Sequence, residues 1–244
     1  MRLKTNTSTM KKTTLFIFAA ALAALTSAQA EWKFGIGAGV GAFDIDGDLS
    51  FGPLTGDVEY DSGDLESAFS LQGYAATGKW MFRSSVSSLE VEANQTLESG
   101  IELSDVNFKR LIWDLTAGYM WIEGGAWTIS TYGGVRGVSH ELTLANVASD
   151  FDNSWTDAIL GVSATYKLGE KWFWNSALEG GFGGSEGSFG ANTSLTWRFG
   201  QHWSASTIFS WTAAEYEEGE TDDADYYLYD ANEIKLGLGI MYHF

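Results

Sequence analysis

The 244-residue chain has no cysteine, a single proline at Pro53, and few bases, with 14 Lys and Arg against 32 Asp and Glu. Without cysteine there is neither a disulfide framework nor a thiolate metal site. One proline leaves no Pro-rich linker. Four of the bases, Arg2, Lys4, Lys11 and Lys12, lie in the first 30 residues, which hold no acid, so the remainder carries ten bases against 32 acids and a formal charge of −22. Nucleic acid is excluded as a partner by that imbalance. Helical periodicity is missing after residue 30. The apolar run Leu15 to Leu25 falls short of the ~20 residues a spanning helix needs.

That run belongs to a different signal. A basic start, the apolar stretch and the small residues Ser27-Ala28-Gln29-Ala30 together form a secretory signal peptide, with Glu31 as the expected mature N-terminus. Met10, followed by Lys11-Lys12, offers a second start that would give a more ordinary signal length. Residues 1–30 are therefore set apart, and residues 31–244 are expected to form one domain exported by the Sec route.

What the chain does have is glycine (29 residues), aromatics (15%) and alternation. Toward the C-terminus, Ile234, Leu236, Leu238, Ile240, Tyr242 and Phe244 share one face of a strand, while Glu233, Lys235, Gly237, Gly239, Met241 and His243 share the other. A soluble sheet would cover so continuous an apolar face with a helix or a second sheet. None is on offer, and a closed transmembrane β-barrel remains.

Ten segments show the two-residue period: 32–45, 67–78, 80–96, 106–121, 126–143, 155–168, 171–184, 187–199, 203–216 and 232–244. Each exceeds the ~9 to 11 residues a tilted strand needs to cross a bilayer. Connections after the second, fourth, sixth and eighth are tight, at Gly78-Lys79, Glu123-Gly124-Gly125, Gly169-Glu170 and Gly200-Gln201-His202. Those after the first, third, fifth and ninth are longer, and only Gly184-Ser185-Glu186 departs from the pattern. Short turns on one side and long loops on the other describe an all-β, closed antiparallel up-and-down barrel with both termini in the periplasm. About ten strands are expected, with eight or twelve as alternatives. Trp32, Trp80, Tyr119, Trp121, Trp127, Tyr166, Trp172, Trp203, Tyr242 and Phe244 fall beside the short turns, as a periplasmic girdle would.

Placing an Arg against mid-bilayer lipid costs about 2–4 kcal/mol, so ionisable residues within strands are assigned to the lumen. The set is Glu90, Glu92, Arg110, Asp114, Arg136, Asp157, Glu179, Glu233 and Lys235, the first six on consecutive strands at similar height. Turning Glu90 and Glu92 inward requires the alternation on their strand to slip, which predicts a β-bulge within Ser84 to Ser88. A barrel this small is nearer the filled limit than the channel limit. The lumen set reads as a charge network closing the interior or as the constriction of a narrow pore.

The segments Asp44 to Glu66 and Glu215 to Asp230 each hold eight acids and no base. Read as solvated loops, they also contain Asp44, Asp46 and Asp48 around Gly47, a weak candidate for a divalent cation whose spacing departs from the EF-hand loop. No cofactor is expected. Of the three histidines, His202 and His243 lie at the periplasmic end, and His140 is flanked by Ser139 and Glu141, which face the opposite side of its strand.

The stretches Asp114-Leu115-Thr116-Ala117-Gly118-Tyr119, Gly134-Val135-Arg136-Gly137, Trp155-Thr156-Asp157, Gly180-Gly181-Phe182-Gly183 and the terminal Tyr242-His243-Phe244 resemble porin-like bacterial outer-membrane β-barrel proteins. The resemblance implies a Gram-negative outer membrane, contact with its lipids and lipopolysaccharide, and recognition of Phe244 by the barrel-assembly machinery. The ten-stranded omptin proteases are similar in strand count, but their Asp-x-His pair is absent. The lipid A deacylases carry His and Ser on one face, and here Val138 and Leu142 occupy those places. The expected function is a narrow passive pore or a structural membrane barrel without enzymatic activity. The alternatives are a surface adhesin or ligand-binding barrel acting through its acidic loops, or a hydrolase of lipid or peptide.

Overall fold

Alternating side chains at ten places call for long paired strands, and the computed structural model has them. It describes residues 31–51, 54–61, 63–96, 102–144, 150–220 and 226–244. The expected signal peptide and Pro53 lie outside these residues. Eleven strands form one antiparallel sheet: β1 (Lys33–Phe51), β2 (Leu54–Tyr60), β3 (Leu65–Thr77), β4 (Trp80–Thr96), β5 (Glu102–Gly124), β6 (Trp127–Leu144), β7 (Asp150–Lys167), β8 (Trp172–Phe182), β9 (Gly187–Arg198), β10 (Trp203–Glu218) and β11 (Tyr227–His243). The last strand pairs back onto the first, from Gly35 opposite His243 to Phe51 opposite Tyr227, and closes the ring. Among the described residues, closure pairs each of the ten staves that cross the belt on both sides.

Ten staves make the barrel. β1 pairs with β3 over Lys33–Val40 and with β2 over Ile45–Phe51, so β2 and β3 occupy the same flank of β1, one above the other. Between them the chain turns at Asp61 to Asp64, where the Asp64 N–H donates to the Asp61 carbonyl at 3.1 Å and the Asp61 N–H to Asp64 Oδ2 at 3.0 Å. The hairpin strand β2 and the upper half of β1 stand where the sequence predicts a loop. The reason is a change of solvent along β1: Asp44, Asp46 and Asp48 continue the outward face into water, while Ile45 and Leu49 continue the inward face and are buried.

The same inversion runs around the barrel. Below, the outer wall is an apolar belt whose upper limit is marked by Val40, Leu111, Val135, Leu160 and Ile234, all exposed; Leu160, Leu236 and Leu238 are each 61% exposed. Lipid is the medium that can cover such a surface. Above those residues the strands go on, with acids outside and an apolar core inside. That core gathers Ile45, Leu49, Tyr60, Leu89, Val91, Val106, Phe108, Val138, Leu142, Trp155, Tyr216, Tyr227, Tyr229 and Ala231.

This corrects the reading of β4. Its register runs without a break from Trp80 opposite Tyr119 to Ala93 opposite Val106, so no bulge interrupts Ser84 to Ser88. Leu89 and Val91 point into the upper core, and Glu90 and Glu92 therefore face outward above the belt, not into the lumen. A lipid-facing rule extended past the lipid had turned them the wrong way. At the short turns, Gly78 (φ +53°) and Gly125 (φ +64°) take the left-handed conformation that favours glycine.

Candidate functional site in the barrel lumen

Strand register brings the inward charges together in separate groups, not in one network at a single height. Asp114 on β5, Arg136 on β6 and Asp157 on β7 lie at one level of the sheet. Arg136 Nε donates to Asp114 Oδ1 at 2.8 Å and its Nη2 to Glu179 Oε1 on β8 at 2.6 Å. The Tyr132 hydroxyl donates to the other Glu179 oxygen at 2.8 Å, and Ser85 Oγ to Asp114 Oδ2 at 3.1 Å. One guanidinium thus serves two carboxylates, and the fork geometry of Arg suits that arrangement.

Two inward positions higher, Arg110 reaches across the lumen from β5 to Glu233 on β11, and Glu233 also accepts from the Tyr229 hydroxyl at 2.6 Å. Lys235 does not join an ion pair among the described residues; its ammonium sits over the Phe43 ring at 5.1 Å. Asp157 has a third role. It is buried and accepts from the backbone N–H groups of Gly184 and Ser185 at 2.9 and 2.8 Å and from Ser185 Oγ at 2.8 Å, pinning the β8–β9 turn. Glu90 pairs with Lys109 at 3.1 Å on the outer wall, and Glu92 is exposed there.

Above these groups, aromatic rings from several strands pack together inside the barrel. Tyr60 stacks on Phe108 at 5.8 Å, and Phe108 stacks on Tyr229 at 6.4 Å. His140 stands edge-on to Phe108 and Trp155, each at 4.9 Å, and Trp155 stacks on Tyr216 at 4.2 Å. Strands β2, β5, β6, β7, β10 and β11 all contribute to this cluster. His140 lies five residues above the belt residue Val135, outside the membrane-spanning part of β6. Burial, with the Arg110 guanidinium adding to it, pushes its imidazole well below the ordinary value, leaving it neutral. Its Nδ1 is 2.6 Å from the Tyr227 hydroxyl. Ser139 and Glu141 are exposed on the other face.

Two cavities flank the Arg136 level. A small one of about 160 Å³ lies above, lined by Arg110, His140, Asp157 and Glu233. A larger one of about 510 Å³ lies below, running down to the short-turn end. At its floor His243 joins three strands: Nδ1 is 2.9 Å from the Tyr74 hydroxyl and Nε2 is 2.9 Å from Ser204 Oγ. Sequence separation hid this cluster, because 39 and 169 residues divide its members. The inward parity of Ser204 and His243 on neighbouring strands was the available signal.

The weak cation candidate does not converge. Asp44, Asp46 and Asp48 occupy successive outward positions of β1, where alternate side chains stand roughly 7 Å apart. No group of three or more His, Asp or Glu among the described residues is placed to hold a metal ion.

A closed ten-strand meander with an apolar belt and a charged lumen is the fold of bacterial outer-membrane β-barrel proteins. Among solved structures, the chain is similar to the outer membrane protease OmpT of Escherichia coli, with a TM-score of 0.56, 6% identity, and coverage of 87% of this chain and 96% of that one. It is also similar to the outer membrane protein OprG of Pseudomonas aeruginosa (TM-score 0.43, 14% identity, 88% and 97% covered) and to Ail of Yersinia pestis in its sucrose octasulfate complex (0.41, 10%, 88% and 99%). Identity at this level shows the fold alone. No protein-family model matches the sequence, and no curated protein does.

Proposed function

We propose that this protein is a sealed structural barrel of the bacterial outer membrane that acts at the cell surface, not a passive pore. The observation that carries the reading is the ring cluster closing the bore above the Arg136 level, from Tyr60 through Phe108, His140 and Trp155 to Tyr216. An ion crossing it would have to leave water for an apolar layer, at a cost of many kT. Beyond the seal, extended staves carry Asp44, Asp46, Asp48, Glu90, Glu92 and Glu141 outward, with Lys109 the one base beside them. That acidic rim is the surface offered to partners, and binding there by a cationic ligand is the adhesin form of the same reading.

The absence of enzymatic activity belongs to the proposal. Tyr74 beside His243 is a phenol, which supports an imidazolium poorly, and Ser204 lies within a strand paired on both sides, opposite Arg198 of β9 and Met241 of β11. Sec export with cleavage after Ala30, contact with lipopolysaccharide, and insertion through recognition of Phe244 complete the reading. Phe244 donates its N–H to Phe34 at 2.9 Å while its side chain stays exposed.

The deciding experiment is planar-bilayer recording of the refolded protein. Heat-modifiable barrel that inserts and stays electrically silent is expected. Discrete conductance steps reproducible between preparations would sink the sealed reading and restore the pore.

A further inference from the structure

We propose that the lower lumen is a binding site for a small hydroxylated organic anion entering from the periplasmic end, with Arg83 as its charge partner. The cavity of about 510 Å³ has the size of a small-ligand pocket. Its ceiling is the Arg136 level, where the one guanidinium is already engaged by two carboxylates, Asp114 and Glu179, and is not free for a ligand. Arg83, on β4 and two residues above Met81, also lines the cavity. Among the described residues its side chain makes one hydrogen bond, from Nε to Met81 Sδ at 3.0 Å, and no ion pair. A thioether is a weak acceptor. The Nη fork is left facing the cavity, and that fork is the group whose geometry fits a carboxylate or phosphate.

The rest of the wall mixes apolar side chains, Met81, Ile159, Ala177, Ile208 and Met241, with neutral hydrogen-bonding ones. Gln72, Asn175, Asn192, Ser194 and Ser206 supply amides and hydroxyls, which recognise hydroxyl groups and repel neither sign of charge. Carboxylates lining the cavity are the two held by Arg136. The long-range field agrees. Lys33, Lys79, Lys167, Lys171 and Arg198 outnumber Glu31, Glu123 and Glu170 at the short-turn end, whereas most acids crowd the opposite end, so the field gradient favours an anion at the lower mouth. A carboxylated or phosphorylated sugar matches both the fork and the wall. The direction of entry rests on the outer-membrane orientation proposed above; the binding itself does not.

Calorimetric titration of the refolded, detergent-held protein tests this at constant ionic strength with three probes: inorganic phosphate, glucose 6-phosphate and glucose. Glucose 6-phosphate is expected to bind more tightly than phosphate, and glucose not measurably. Arg83→Gln should weaken glucose 6-phosphate by about tenfold or more, the loss of one charge-assisted contact, while Arg83→Lys retains phosphate binding. Should Arg83→Gln fail to give a heat-modifiable barrel, Asn192→Leu decides: it should weaken glucose 6-phosphate and spare phosphate. No binding of either anion, equal binding of glucose, equal affinity in Arg83→Gln, or an unaffected Asn192→Leu variant each overturns the site. Silence in the bilayer recording bears on the seal alone, so the two proposals fail separately.

Discussion

Arg136 Nη2 and Glu179 Oε1 meet at 2.6 Å although their strands are not neighbours, because β7 lies between β6 and β8. The Tyr132–Glu179 hydrogen bond beside it passes over Gly161 of β7, which is registered opposite both residues and whose missing side chain makes room for the Tyr132 ring. An ideal Cβ there would lie 2.3 Å from Cζ of Tyr132, the ring that donates to Glu179. Parity on three strands and one glycine thus fix the centre of the lumen.

Removing Arg136 should be the most damaging single change in that centre. Arg136→Met leaves Asp114 and Glu179 largely buried without a cation, and breaking a buried pair in this way costs about 3–5 kcal/mol. Glu179→Gln should cost less, since Arg136 keeps Asp114 at 2.8 Å. Urea titration, followed by the mobility shift of the heated barrel, reads both. Equal stability of Arg136→Met and the parent chain would mean the lumen is wet enough for water to replace the guanidinium.

Gly161→Ala should destabilise the barrel by about 1–3 kcal/mol through overpacking, with a specific partner to the defect. Cutting the ring away in a Gly161→Ala/Tyr132→Leu double variant should recover part of that loss relative to the sum of the single changes. Strict additivity in a double-mutant cycle would show that the methyl group finds room elsewhere.

Most of the fold was legible because lipid imposes a two-residue rule that can be read without knowing any neighbour. β4 was bounded at Trp80 and Thr96 as observed, and β9 and β10 began where expected. The rule failed where the solvent changes. Above the belt, acids are the outward residues and Leu89, Val91 and Phe108 the inward ones, so the lipid rule points Glu90 and Glu92 to the wrong face and predicts a loop where β2 stands. Pairing was the other limit. Arg110, Glu233, Arg136 and Glu179 are placed inside by parity, but Arg110 meets Glu233 only because the ring closes between β1 and β11, and Arg136 meets Glu179 only through the register of β6, β7 and β8.

The outer-wall pair gives a pH signature of known sign. The hydrogen bond and charge of Lys109 hold the Glu90 carboxyl below its ordinary value of 4.5. A carboxylate depressed on folding stabilises the native state fully above the unfolded value, and that contribution is lost as the pH falls through the lowered folded value. Lys109→Gln should therefore flatten a shallow acid-side slope and leave stability at neutral pH almost unchanged, since exposed pairs contribute little and are screened by salt. Unfolding midpoints from pH 7 down to pH 3, at low and high salt, check the sign. An acid slope identical in the variant would assign it to other carboxylates.

Ser204 provides the sharpest test of whether the floor of the lumen does chemistry. Its Oγ lies 2.9 Å from His243 Nε2, a nucleophile-to-base distance, and Tyr74 holds the other ring nitrogen at 2.9 Å. Distance alone does not make a nucleophile. A serine becomes reactive when the imidazolium formed on proton transfer is stabilised and when donors await the developing oxyanion. A phenol in place of a carboxylate weakens the first condition, and Ser204 stands inside a strand paired with β9 and β11, where donors for the second must come from outside the ladder. A fluorophosphonate probe small enough to enter the lower cavity should leave Ser204 unmodified under conditions that label a serine hydrolase to completion, and neither the parent chain nor His243→Gln should gain mass on treatment. Stoichiometric addition of the phosphonyl group at Ser204, abolished in His243→Gln, would make this end of the barrel an active site and overturn its assignment as a hydrogen-bonded floor.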